Sequence, residues 1–195
     1  MVSTWLLGSP GCATQPQIAV AVDGITTKTE RKLESFVLRS GMQDVAESDL
    51  EFREFASYIE RALLDHGFLR IDDEQAADLV IYMSYGIGIL EAEPYTRARP
   101  QIGVGGNVVR ADAEGGTRVS YFQYLRLDAL DQRPQEDGEA EPVWKTTITS
   151  NADSADLRRI FPVLVGAASP YLGRNTGHRV LVHLSEDDER VKRLR

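Results

Sequence analysis

The chain has 195 residues, 27% of them charged and 42% hydrophobic, with a formal net charge of −8. That length suits one sizeable domain and that composition a folded chain rather than a disordered one. The acidic balance excludes a general nucleic-acid binder, which needs a basic face to displace counterions. No apolar run approaches the about 20 residues that a membrane-spanning helix requires.

The first segment carries the only cysteine, Cys12, which excludes an internal disulfide and any cysteine-rich metal site. Its setting is W-L-L-G-S-P-G-C-A-T-Q-P-Q: a short apolar stretch, a small residue at Gly11, the cysteine, then a polar tether with a proline. This resembles the lipobox of bacterial lipoproteins, in which the cysteine is lipidated and heads the mature chain. The resemblance implies that residues 1–17 are a truncated signal and tether, that Cys12 is the lipidation site, and that the partner there is a membrane. No Lys or Arg precedes Cys12, and Ser9 and Pro10 stand where a Leu and a small residue are usual. Both fit a signal that begins upstream of Met1. Ala13, not Asp, follows the cysteine, which by likeness to Gram-negative sorting implies an outer-membrane lipoprotein facing the periplasm. If Met1 is the true start and Cys12 is unmodified, the same chain is cytoplasmic.

Residues 17–25 alternate as a strand, and S-F-V-L at 35–38 reads as a second. An amphipathic helix is expected over about 49–66. Ser48 and Glu51 have capping-box spacing, Phe52, Phe55, Ile59 and Leu63 share a face, and Gly67 suits the stop. After a short extended piece at 68–71 and an acidic turn, L-V-I-Y-M at 79–83 predicts a central strand covered on both faces, or at least a well-buried one. Residues 91–116 hold Pro94, Pro100 and five glycines and read as a long, mostly irregular loop, with at most a short strand at 104–110. Residues 118–130 alternate well. An acidic hairpin loop at 131–142 then leads to a returning strand at 143–149, V-W-K-T-T-I-T. A second helix opens at Ser154 and carries Leu157, Ile160, Phe161, Leu164 and Val165, with Pro162 expected to kink or restart it. A last strand at 179–184 precedes a short terminal helix capped by Ser185, acidic at its start and basic at its end. The order predicts an α+β fold: a mixed β-sheet with two main helices packed on one face, plus a short C-terminal helix. Residues 18–195 form one domain with a long loop at 91–116.

Candidate chemistry is sparse. Gly86, Gly88, Gly103, Gly105 and Gly106 invite a phosphate loop, but no helix follows and no G-K-[S/T] occurs. His66, His178 and His183 lack paired metal spacing, no G-x-S-x-G elbow exists, and the acidic clusters lack calcium-loop spacing. No catalytic residue, cofactor or metal is assigned. Tyr82, Tyr85, Tyr95, Tyr121, Phe122 and Tyr124 either line an aromatic groove or are ordinary sheet packing.

With the elements placed, a family resemblance emerges. R-A-L-L-D-H-G-F at 61–68, then A-A-D-L-V-I-Y-M-S-Y at 76–85, is similar to the central motif of the "domain of unknown function 4136" lipoproteins; Val143, Trp144, Phe161 and Pro162 match later positions. The resemblance implies an envelope protein with no assigned activity, so no catalytic residue is carried over. The expected function is a lipid-anchored, non-catalytic binding or structural module that meets another envelope component. Loops on a rigid scaffold commonly carry binding, so the partner surface is placed at Tyr85, Tyr95, Arg97, Arg99 and Asn107. The alternative is a small-molecule-binding protein or enzyme using the loop-covered end of the sheet.

Overall fold

The computed structural model describes residues 16–27, 33–102, 108–132, 140–152 and 154–195. The fold is α+β. The strands are β1 (Ile18–Thr26), β2 (Ser35–Ser40), β3 (Leu69–Arg70), β4 (Leu79–Ile102), β5 (Val108–Asp131), β6 (Glu141–Ala152) and β7 (Val180–Leu184). They form one seven-stranded sheet in the order β3-β2-β4-β5-β6-β1-β7. The sheet is mixed: β2 runs parallel to β3 and β4, and the other pairings are antiparallel. The helices are α1 (Leu50–Asp65), α2 (Leu157–Ala168) and the short α3 (Glu189–Lys192). Parallel strands need a crossover, and α1 supplies it between β2 and β4.

Each helix is capped by an aspartate rather than by the serine the sequence points to. The Asp49 side chain accepts from Glu51 N–H, Asp156 from Arg159 N–H, and Asp188 from Arg190 N–H. A carboxylate offers the same oxygen as a hydroxyl and adds a negative charge at the positive end of the helix dipole. The C-terminus of α1 agrees with expectation. Gly67 has φ 86°, its N–H donates to Leu64 O, and Phe68 N–H reaches back to Leu63 O, so two end carbonyls are satisfied. Pro162 lies inside α2, which runs on through it; burial of the helix from Ile160 to Ala168 holds it in place despite the lost hydrogen bond.

Both main helices lie on one face of the sheet. The core there joins Val20, Val22, Phe36, Leu79, Ile81, Leu125, Leu127 and Ile148 to the apolar stripes of α1 and α2. At its centre Phe55 of α1 stacks on Phe161 of α2, ring centroids 3.9 Å apart and planes within 3°. Among the described residues no helix covers the opposite face, so of the two readings of 79–83 the well-buried strand is the one observed, with Leu79, Val80, Ile81 and Met83 all buried. Among the described residues the apolar side chains buried on that face are Val37, Ala77 and Val80, against Ile71 and Tyr82. The rest of that face carries half-buried Ser84, Asp128, Lys145, Thr147 and Thr149. On that side the burial of the apolar run at 79–83 comes from local cover over Val80 rather than from a second layer.

The parallel start of β2 and β4 is clamped by Asp78. Its Oδ2 accepts from Ser35 Oγ at 2.8 Å, Ser35 N–H at 2.9 Å and Glu34 N–H at 3.0 Å, while its own N–H donates to Ser35 Oγ. Bonds to an ionised acceptor are the stronger kind. At the other side of the sheet, Gly24 of β1 admits the chain at 174–176: a Cβ there would lie 2.4 Å from Arg174 O.

The long loop expected at 91–116 is largely strand. β4 and β5 pair continuously from Leu79↔Asp131 to Ile102↔Val108. The short strand expected at 104–110 and the acidic loop at 131–142 fall partly outside the described residues. Glycine and proline were read as breakers, but the register places Pro94, Pro100, Gly115 and Gly116 within the paired strands. Gln132 N–H donates to Asp78 O, so the even-numbered residues of this part of β4 bond to β5. At Leu90 β4 holds one residue more than β5, the register passing from Ile89↔Tyr121 to Glu91↔Ser120. Beyond this bulge the parity inverts, and odd-numbered residues bond inward. Pro94 and Pro100 therefore occupy outward positions, where a missing N–H costs no ladder bond.

Replacing the Asp78 carboxylate strands three donors. Asp78→Ala is expected to lower stability by about 2–3 kcal/mol, read as a drop in urea midpoint at unchanged slope; an unchanged midpoint would show that the clamp contributes nothing.

Candidate interaction site

The sheet body ends where its flanking strands end. β4 pairs with β2 only as far as Ser40↔Met83, and β5 with β6 only as far as Tyr121↔Ala152. Past Leu90, β4 and β5 continue as a two-stranded arm. The segment 90–102 spans about 40 Å at the usual rise of a strand. Among the described residues no strand pairs with either outer edge of this arm.

The change from body to arm is sharp in burial. Tyr85 is 7% exposed, whereas Ile89 is 70% exposed and Leu90 54%. Tyr85 is thus the last core residue of β4. Its ring meets Phe55 edge-on at 4.8 Å and Phe161 at 5.8 Å. It closes the end of the core and, with Met42, Val45, Asp49, Glu51 and Leu157, lines an open depression of about 310 Å³. Burial, with the nearby carboxylates of Glu51 and Asp49, pushes the Tyr85 phenol up to about 12. The described residues expected to close over this end of the sheet run outward as the arm, and Met42 and Val45 border it instead. Asp49 is already engaged as the cap of α1.

The remaining sequence-placed residues divide as follows. Arg97 is exposed on the arm and, with Glu93, Pro94, Thr96 and Arg118, borders a depression of about 370 Å³. Tyr95 and Arg99 belong to β4, opposite Gly116 and Asp112 in the register. Asn107 and Cys12 lie outside the described residues. Among the described residues no group of three or more His, Cys, Asp or Glu side chains is placed to hold a metal ion. His66 Nε2 lies 3.3 Å from Ser169 Oγ, linking the end of α1 to the end of α2.

The arm's two rows differ in chemistry. The register sets Glu93 opposite Arg118, Arg97 opposite Glu114 and Arg99 opposite Asp112. The alternate row is short and uncharged, with Ala92, Pro94 and Thr96 opposite Val119, Thr117 and Gly115. This pairing was open to sequence reading once the bulge was known, but nothing in the residues around Leu90 announces the bulge.

A second exposed apolar group lies on the helix-free face. Leu90, Phe122 and Leu181 border an open depression of about 320 Å³ with Thr149, Asn151 and Arg179. Phe122 and Tyr124 lie near-parallel there, 6.2 Å apart, and Tyr124 sits over Gly86. The aromatic residues thus split between core, at Tyr85, and open face, at Phe122 and Tyr124, and form no single groove.

No protein-family model matches the chain, and no curated protein matches it. Similar solved structures include a PDZ domain protein from Parabacteroides distasonis, at 17% identity and a TM-score of 0.48 over 88% of this chain. The match spans 40% of that protein's length. A PelC dodecamer from Paraburkholderia phytofirmans is similar at 15% identity and a TM-score of 0.41, covering 80% of this chain and 99% of that one. At these identities and scores neither bears on function.

The Tyr85 phenol gives a pH test. Its folded value lies above the ordinary 10, so its contribution is complete below about pH 10 and is lost as pH rises towards 12. Stability of the parent should fall over that window more steeply than that of Tyr85→Phe, followed by chemical denaturation at stepped alkaline pH. Parallel curves would show that the hydroxyl is not desolvated.

Proposed function

We propose that the chain is a lipid-anchored envelope module without catalytic activity, which faces the periplasm and binds a protein partner through the β4–β5 arm. The observation that carries this reading is the arm itself. An isolated two-stranded ribbon is marginally stable in water, and this one extends well beyond the sheet with both edges open among the described residues. Such edges are templates for strand addition, in which main-chain hydrogen bonds supply affinity. The anchor is supported by the lipobox-like setting of Cys12. Several acyl chains on one residue would make attachment stable where a single chain would not.

Two measurements test the two halves. In membrane fractionation the parent should sediment with the outer membrane and Cys12→Ala should not; parent and mutant both remaining in the supernatant would overturn the anchor. For the arm, a photo-crosslinking residue at Arg97 should capture protein in living cells and one at Arg53, on the exposed side of α1, should not. Equal capture from both positions would remove the arm from the binding role.

A further inference from the structure

The two edges of the arm are not equivalent. Beyond the bulge at Leu90, the residues of β4 that turn their N–H groups outward are the even-numbered ones, and Pro94 and Pro100 fall among them. That edge lacks two donors and resists extension by another strand. On β5 the parity holds from Ser120 back to Arg110, where a second shift leaves Val109 as an extra residue, so the odd-numbered residues 111–119 turn outward. None is proline, and β6 has ended at Ala152, opposite Tyr121. Among the described residues, one edge is closed by its prolines and the other is a free ladder.

We infer that this free edge of β5 pairs, antiparallel, with the same edge of a second copy of this chain. The inference rests on reading the arm as the binding element, and it names the partner. Three observations favour a second copy. An isologous β5–β5 pairing turns two marginal ribbons into one four-stranded ribbon, which can stand by itself. Its outer edges are then both β4 edges, each carrying Pro94 and Pro100, so assembly stops at two. The charges on β5 are self-complementary as well. Centred on Ala111, the pairing sets the two outward-bonding Ala111 residues opposite one another and Arg110 opposite Asp112 of the second copy twice. A chain of uniform charge could not meet its own copy in this way.

The test uses the full chain carrying Cys12→Ser, which can be neither acylated nor disulfide-linked, since Cys12 is the only cysteine. In sedimentation equilibrium the parent should approach twice 21.7 kDa. Ala113→Pro removes an outward donor of β5 without touching a bond to β4, and should shift the chain to monomer, raising the dimer dissociation constant at least about tenfold. Ala98→Pro makes the same change on the edge already closed and should leave the dimer intact. The pair Pro94→Ala and Pro100→Ala should give species larger than dimer. Circular dichroism and melting temperature confirm that each variant folds. A dimer that survives Ala113→Pro, or one equally lost in Ala98→Pro, would overturn the edge assignment. Failure of the double variant to grow would overturn the closure by proline. A monomeric parent that still cross-links to another protein from Arg97 would overturn the second-copy partner and leave the arm's binding role standing; a monomeric parent without cross-links would remove both.

Discussion

The flat contact between Phe55 and Phe161 fixes how this molecule is built. Two rings at 3.9 Å bind α1 to α2 and set both helices over the middle of the sheet. Because they share one face, the other face is left to half-buried polar side chains, and the sheet needs no second layer. Tyr85 leans edge-on against both rings and ends the core. Such aromatic pairs contribute about 0.5–1.5 kcal/mol each beyond the area they bury. Past Tyr85 there is no helix left to cover the strands, and β4 and β5 go on without support.

The body and the arm therefore obey different rules. In the body, burial sets the register: a slip of one residue would turn Leu125 and Leu127 away from the helices. In the arm little is buried, and the register is held by continuity with the body and by opposite charges across the ladder. The arm should thus be the less stable part of the chain, opening with a smaller free energy than the core strands. A segment of this kind gains most from contact with something outside itself.

Much of the body was legible in the sequence. The stripe of Phe52, Phe55, Ile59 and Leu63, the stop at Gly67, and the alternation through Leu125 and Leu127 each follow from one local rule. The capping aspartates were missed because a serine stood within reach of each helix start, and composition ranks the two alike. Asp78 was read as a turn residue; its role depends on Ser35, which is remote in sequence and becomes its neighbour only when β2 and β4 align. The arm was missed for a deeper reason. Pro94 and Pro100 break a ladder only when they point towards its partner, and which way they point depends on a bulge that leaves no mark in composition. The packing of Tyr85 against Phe55 was likewise hidden, because an aromatic residue beside glycines resembles a surface feature in sequence.

The bulge at Leu90 has a consequence for how this chain can vary. It acts as a phase shifter: beyond the single extra residue the parity of β4 inverts. Deleting the extra residue would restore a regular ladder and leave Glu93 opposite Arg118 and both prolines outward. Inserting one residue while the bulge is kept would instead turn Glu93 and Arg97 to the other face and aim both prolines at β5. Length at the base of the arm is therefore free to shrink by the bulge itself but not to grow by one beside it, a counting rule set by the two-residue period of the strand rather than by any contact that a side chain makes.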